Sequence, residues 1–285
     1  MIISPKHRFV FVHIPKCAGT SVRTQLVKCD PNHIALGDTG DHPVLGRIDY
    51  GHIPLHQLSA HFVEYRDYIR EFDTFAVVRD PLARFGSALR QMLWQYHQQP
   101  MTLIPADELR ATALRMLDEI EGQIAAPERQ YIFFARQSDF IFENGVQCVD
   151  HLIPLDLVAD FIGHMSRRTG TSMETGTRSN QNVELRYKGL GGLAYRVNGA
   201  LRRVLPLDLH ARIKDTALRV LSAKTSAAEA SGVLDLPEVQ AFVARHYAAD
   251  QAIYDQVLQQ VDTLQQGLRQ DSLPDMRILL EKGLL

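Results

Sequence analysis

Apolar residues in this chain fall into two patterns. Short unbroken runs, Phe9-Val10-Phe11-Val12, Phe75-Ala76-Val77-Val78 and the stretch from Leu152, read as buried strands. Between and after them the apolar positions repeat at helical spacing. A helix starts near Gly19, and a short one covers Leu55 to Phe62. Another runs from Asp80-Pro81 to about His97, with Leu89, Met92, Leu93 and Tyr96 on one face. Pro105 to Glu121 is strongly amphipathic through Leu109, Ala113, Met116, Leu117 and Ile120. Asn144-Gly145, between two strand-like runs, predicts a hairpin, and Leu152 to Asp156 leads into a helix to about Arg168. Leu236 to Leu264 reads as one long helix, and the tail after Asp271 as a short last helix whose Leu residues suit a dimer contact. Strands alternating with helices predict an α/β fold with a central parallel sheet flanked by helices.

The first strand ends in a turn, and a helix follows at once: Arg8 to Val22 reads RFVFVHIPKCAGTSV. The first N–H groups of a helix have no partner within it, and its dipole favours negative charge there. Gly19 admits close backbone approach, Thr20 and Ser21 add hydroxyls, and Lys16 adds a positive charge. The turn is a cradle for phosphate or a similar oxyanion. Lys16 precedes Gly19 by three residues, so the G-x-x-x-x-G-K-[ST] pattern of nucleoside triphosphatases fails. A second strand ends at Arg79, where Asp80 is the expected N-cap, Pro81 is the first helical residue, and Ser87 lies two turns on. A guanidinium and a hydroxyl placed in this way suit a second phosphate.

The motif HIPKCAGTS closely resembles the 5′-phosphosulfate loop of sulfotransferases that use 3′-phosphoadenosine 5′-phosphosulfate (PAPS). The carbohydrate-type branch, heparan sulfate 2-O-sulfotransferase-like or sulfotransferase family 2, is the nearest in pattern. VRDPLARFGS resembles the same family's 3′-phosphate element. The resemblance implies a P-loop-like three-layer fold with a central parallel sheet flanked by helices, a helical insertion and C-terminal helices. It implies PAPS as co-substrate, bound by Pro15, Lys16, Cys17, Ala18, Gly19, Thr20, Ser21, Arg79 and Ser87. No metal is expected. Arg84 matches a further position, as a surface partner of Asp80 or as a ligand contact. A G-H-x-P step in the family carries the catalytic base, a role that falls to His52, with His56, His61 and Glu64 as rivals. Lys16 is the second catalytic candidate, placed where charge builds on the leaving oxygen. His13 reads as structural or ligand-orienting. The implied reaction is sulfuryl transfer to an acceptor hydroxyl on a carbohydrate or glycolipid. A small-molecule or sugar kinase using ATP, and a non-catalytic nucleotide-binding protein, are the alternatives.

Composition changes this picture little. With 285 residues, 45% of them hydrophobic, the chain suits a single domain over 1–285. A net charge of −2 argues against nucleic acid as partner. Three cysteines, with no C-x-x-C, suit a reducing compartment and give no zinc pattern. Cys17 reads as a tolerated small residue, with a reactive thiol at the helix start as the other option. No stretch has the length of a membrane span and no signal peptide precedes the first strand. Golgi members of the resembled family carry an N-terminal anchor, so the resemblance implies a cytoplasmic, bacterial enzyme, or one whose anchor has been removed.

Several segments carry weaker signals. Asp156 stands where the family commonly has Glu. The polar loop Thr169 to Asn182 holds Arg178 and Ser179, either nucleotide contacts or a solvated linker. Residues 183–234 match no family element and are expected to form a basic helical insertion or lid, suited to an anionic acceptor, to peripheral membrane contact or simply to solvent. Tyr247 and Asp250 resemble the family's closing Y-x-x-D helix, expected to pack on the sheet.

Overall fold

The computed structural model describes residues 1–96, 101, 104–124, 126–175, 183–185, 222–224, 231–281 and 283–284. The central sheet contains β1 (Ile2–Ser4), β2 (Phe9–Val12), β3 (Ile34–Ala35), β6 (Asp73–Val78) and β9 (His151–Pro154), in the order β3-β1-β2-β6-β9. β2, β6 and β9 run parallel, and β1 and β3 add antiparallel strands at the β2 edge. The fold is therefore α/β with a mostly parallel sheet flanked by helices, as expected, with an antiparallel edge that the sequence reading had not separated. β2 is buried throughout and β6 from Thr74 on, which explains their unbroken apolar runs.

The connections follow the parallel pairing. β2 leads into α1 (Gly19–Leu26), then the ribbon β4 (Thr39–His42) and β5 (Gly46–Asp49), then α2 (Leu55–His61) and α3 (Val63–Glu71). β6 leads into α4 (Pro81–Gln95) and α5 (Ala106–Glu121). In α5 the five apolar residues named from periodicity are the five buried ones. The hairpin β7 (Phe142–Glu143) and β8 (Val146–Gln147) turns at Asn144 and Gly145, with φ of 51° and 77°. Two consecutive left-handed residues are what a tight type I′ turn needs, hence Asn-Gly. After β9, α6 (Val158–Thr169) lays Phe161 on Phe11 and Phe75 of the sheet, ring centroids 6.2 and 5.3 Å away.

The C-terminal region corrects two expectations. The long helix over Leu236 to Leu264 is three helices. After β10 (Val183–Leu185), its antiparallel partner β11 (Ser222–Lys224) and the single turn α7 (Ser231–Leu234) come α8 (Pro237–His246), α9 (Ala248–Gln259) and α10 (Val261–Gln270). The breaks fall at Tyr247 and Gln260, whose backbones leave helical geometry. Tyr247 is turned into the core, where its hydroxyl donates to the Phe134 carbonyl at 2.8 Å. A tertiary bond overrides a helical period that runs through it. The tail after Asp271 is not helical up to residue 281. Its Met276 and Ile278 are buried in this chain's own core, and the Met276 carbonyl and Ile278 N–H both pair with the Gln147 amide at 2.8 Å. The expected basic insertion over 183–234 lies mostly outside the described residues, as do Arg178 and Ser179.

Arg84 is neither a surface partner of Asp80 nor exposed to a ligand. It is 1% exposed, with Nη2 3.6 Å from Asp250 Oδ2, Nη1 donating to the Phe133 carbonyl at 3.2 Å, and its guanidinium 5.2 Å from the Tyr247 ring centre. Asp250 is fully buried. Its two oxygens accept N–H bonds from Gln137 and Ser138 at 2.8 and 2.9 Å. Burial pushes the Asp250 carboxyl up, and Arg84 with the two N–H donors pulls it back. All of these contacts ask it to accept, so the carboxylate is the form that fits.

Removing one member of a buried pair strands the other's charge, which costs about 3–5 kcal/mol. Arg84→Ala should therefore lower the unfolding free energy by that order in urea titration. A loss under about 1 kcal/mol would show that Asp250 does not rely on Arg84.

Candidate active site

Two loops that leave the C-terminal ends of neighbouring parallel strands build the site. Val12 of β2 lies opposite Ala76 of β6, so the turn after β2 and the strand end at Arg79 stand side by side. In open α/β sheets this is where ligands bind.

The turn after β2 curls through two left-handed residues, Lys16 (φ 65°) and Ala18 (φ 56°), with Cys17 between them. Such alternation directs backbone N–H groups into one concavity. Ala18 is the N-cap of α1, with no side-chain cap hydrogen bond there. Gly19 faces the His13 ring so closely that a Cβ there would overlap it. Lys16 donates to Gln91 Oε1 at 3.2 Å and lies 5.8 Å from the Phe133 ring centre. Burial first, then Arg79 and Arg90, pushes the Lys16 ammonium down to about 8. Among the described residues no salt bridge engages Lys16, Arg79 or Arg90. Three cations thus crowd one end of the sheet with no salt bridge among the described residues, an arrangement that an anion relieves.

Arg79 reaches back to the cradle: Nη1 donates to the Lys16 carbonyl at 3.3 Å. The two anion elements therefore share one face. Asp80 caps α4 by accepting from the Ala83 N–H at 2.7 Å, with Pro81 next, as the sequence predicts. Ser87 lies half-buried on α4. Pro15 is buried, Thr20 is exposed and Ser21 is buried at the start of α1. Asp156 sits exposed just past β9.

His52 packs against the cradle strand. Its Nδ1 is 3.0 Å from the His13 carbonyl, and the two imidazoles are 4.2 Å apart. A carbonyl only accepts, so Nδ1 carries the proton and Nε2 holds the free lone pair. Burial leads in pushing the imidazole down to about 4, with Asp49 and the His13 carbonyl pulling the other way. His52 is therefore neutral across the neutral range. The rivals lie on α2 and α3: His56 is exposed, Glu64 is exposed, and the His61 ring meets His42 at 5.5 Å. None of the three has a contact with the cradle like that of His52. A cavity of about 300 Å³ opens beside His52, lined among others by Arg47, Asp49, Gln57, Glu128 and Arg129. Among the described residues no group of three or more His, Cys, Asp or Glu is gathered as a metal site.

Sequence reasoning missed three participants. Arg90 lies one turn beyond Ser87 on α4, and helical spacing alone could have found it. Phe133 stands between Lys16 and His52, its ring centre 6.3 Å from that of His52. Gln137 is 58 residues from Arg79 and 120 from Cys17, yet bonds to both. No local pattern marks either residue.

Residues 1–101 match the model of the sulfotransferase family, described as "Sulfotransferase family". The matched stretch, about a third of the chain, contains both anion elements and His52, in line with the resemblance read from HIPKCAGTS and VRDPLARFGS. No curated protein and no solved structure gives a significant match. No helix among the described residues is long and apolar enough to cross a membrane.

Cys17 is 1% exposed, its Sγ shared between the Pro15 carbonyl and Gln137 Oε1, and burial pushes the thiol up to about 12. This favours a packed residue over a reactive one. Under native iodoacetamide at pH 8, mass spectrometry should find Cys17 unmodified while half-buried Cys148 reacts, with Cys17 labelled only after unfolding. Rapid labelling of Cys17 in the native protein would contradict this placement.

Proposed function

We propose that this chain, as one domain, transfers the sulfuryl group of PAPS to a hydroxyl of a carbohydrate or glycolipid acceptor. The observation that carries the reading is the contact between the Arg79 guanidinium and the Lys16 carbonyl, which joins two anion elements into one surface. A nucleotide charged at its 5′ and 3′ ends suits that surface. The 5′-phosphosulfate takes the loop Pro15 to Ser21, and the 3′-phosphate takes Arg79 and Ser87.

The steps follow from charge. The acceptor oxygen attacks sulfur while the bond from sulfur to the 5′-phosphate oxygen breaks. The acceptor proton goes to Nε2 of His52, and the leaving group is adenosine 3′,5′-bisphosphate. Lys16 and the N–H groups at the start of α1 stabilise the charge that builds on the leaving oxygen. The cavity beside His52, with amide, acidic and basic side chains around it, suits a polyhydroxylated acceptor. The three cysteines are free, which suits a reducing compartment such as the cytoplasm.

Calorimetry should find that adenosine 3′,5′-bisphosphate binds without magnesium and more tightly than magnesium-ATP. Preference for magnesium-ATP would favour a kinase. Lys16 is cationic below about 8 and loses its charge above, so nucleotide affinity should fall as pH rises beyond 8, with proton uptake on binding near that pH. Affinity that is flat from pH 7 to 9.5 would remove Lys16 from the contact. His52→Ala should cut turnover by about 10²–10⁴-fold with nucleotide affinity unchanged. An unaffected rate would pass the role of base to another group.

A further inference from the structure

We propose that Gln137 is a positioning residue that sets the Arg79 guanidinium over the nucleotide's 3′-phosphate, and that Cys17 is the cradle's end of the same clamp. The inference rests on the nucleotide reading above.

Gln137 is 1% exposed, and its side-chain amide treats Arg79 as a neighbouring strand would. Oε1 accepts the Arg79 N–H at 3.0 Å, and Nε2 donates to the Arg79 carbonyl at 2.8 Å. The ladder of β6 pairs with β9 as far as Val78 and Pro154, and Pro154 is followed by a 3-10 turn. Arg79 is the first residue past the last pairing, where a strand end would otherwise fray. The amide adds one more bridge, which holds both backbone polar groups of Arg79 and so its Cα–Cβ direction.

The same Oε1 accepts from Cys17 Sγ at 3.3 Å. One atom thus bonds the middle of the first anion loop and the residue that heads the second. The clamp is itself anchored, because the Gln137 N–H donates to Asp250, which also holds Ser138 and faces Arg84. A small side chain with a weak donor is what position 17 requires. The S–H reaches the amide from inside the turn, and the buried thiol stays protonated to give that bond.

The test compares two probes, adenosine 3′,5′-bisphosphate and 5′-AMP, which differ only in the 3′-phosphate. Calorimetry on the wild type should show a preference for the bisphosphate that Arg79→Ala abolishes. A wild type indifferent to the 3′-phosphate, or an Arg79→Ala variant that keeps the preference, overturns the nucleotide reading and the clamp with it. Once that preference is established, Gln137→Met, equal in bulk but without the amide, should lose about tenfold of it while 5′-AMP affinity changes by less than about twofold. A folded Gln137→Met that keeps the full preference, or loses both ligands equally, overturns the clamp alone. Gln137→Glu decides the matter if Gln137→Met fails to fold. As a carboxylate it faces the Arg79 carbonyl with an acceptor, and as a protonated acid it can again donate there. Burial raises its pKa, so the preference should be lost at pH 8.5 and regained toward pH 6, relative to wild type at each pH. A preference that stays unchanged across that range overturns the proposal.

Discussion

The parallel pairing of β2 with β6 is the constraint on which the rest depends. Strands in register lie about 4.8 Å apart, so loops leaving their C-terminal ends cannot avoid each other. Here the first loop carries Lys16 and an uncapped helix start, and the second carries Arg79 and a capped helix. Three cations gathered at one sheet end, with no salt bridge among the described residues to neutralise them, would only repel one another. Burial first, and the two guanidinium groups after it, hold the Lys16 ammonium below its ordinary value. The fold tolerates that cost where a ligand of opposite sign is expected.

A buried polar network holds this end of the sheet in place. Asp250 from α9 binds the N–H groups of Gln137 and Ser138 and faces Arg84 from α4, while Tyr247 bonds to the Phe134 carbonyl. The C-terminal helices thereby reach a segment that touches Cys17 and Arg79. The same network explains why α8 and α9 are separate helices. Tyr247 leaves helical geometry because its hydroxyl is needed inside the core. Residues far from the cradle in sequence are thus bonded, through Gln137, to both of its halves.

Much of this was legible because it is local. Strand, turn and helix start are adjacent in both anion elements, and the N-cap at Asp80, the five buried residues of α5 and the Asn144-Gly145 turn each follow from neighbours in the chain. What was not legible is non-local. Arg84 has the look of a surface residue beside Asp80, and only the approach of α9 puts a buried carboxylate against it. Gln137 gave no signal because its partners lie 58, 120 and 113 residues away. The tail after Asp271 lost its expected helix to pairing with Gln147, another long-range partner. His52 lies between these cases. Its motif placed it near the site, but the bond to the His13 carbonyl that leaves Nε2 free to accept a proton needed the fold.

A crystal structure of the protein soaked with adenosine 3′,5′-bisphosphate tests the central claim most directly. The account predicts the 5′-phosphate inside the loop from Pro15 to Ser21, within bonding distance of Lys16, and the 3′-phosphate against Arg79 and Ser87. A nucleotide seated elsewhere, or one that touches only one of the two elements, would contradict it.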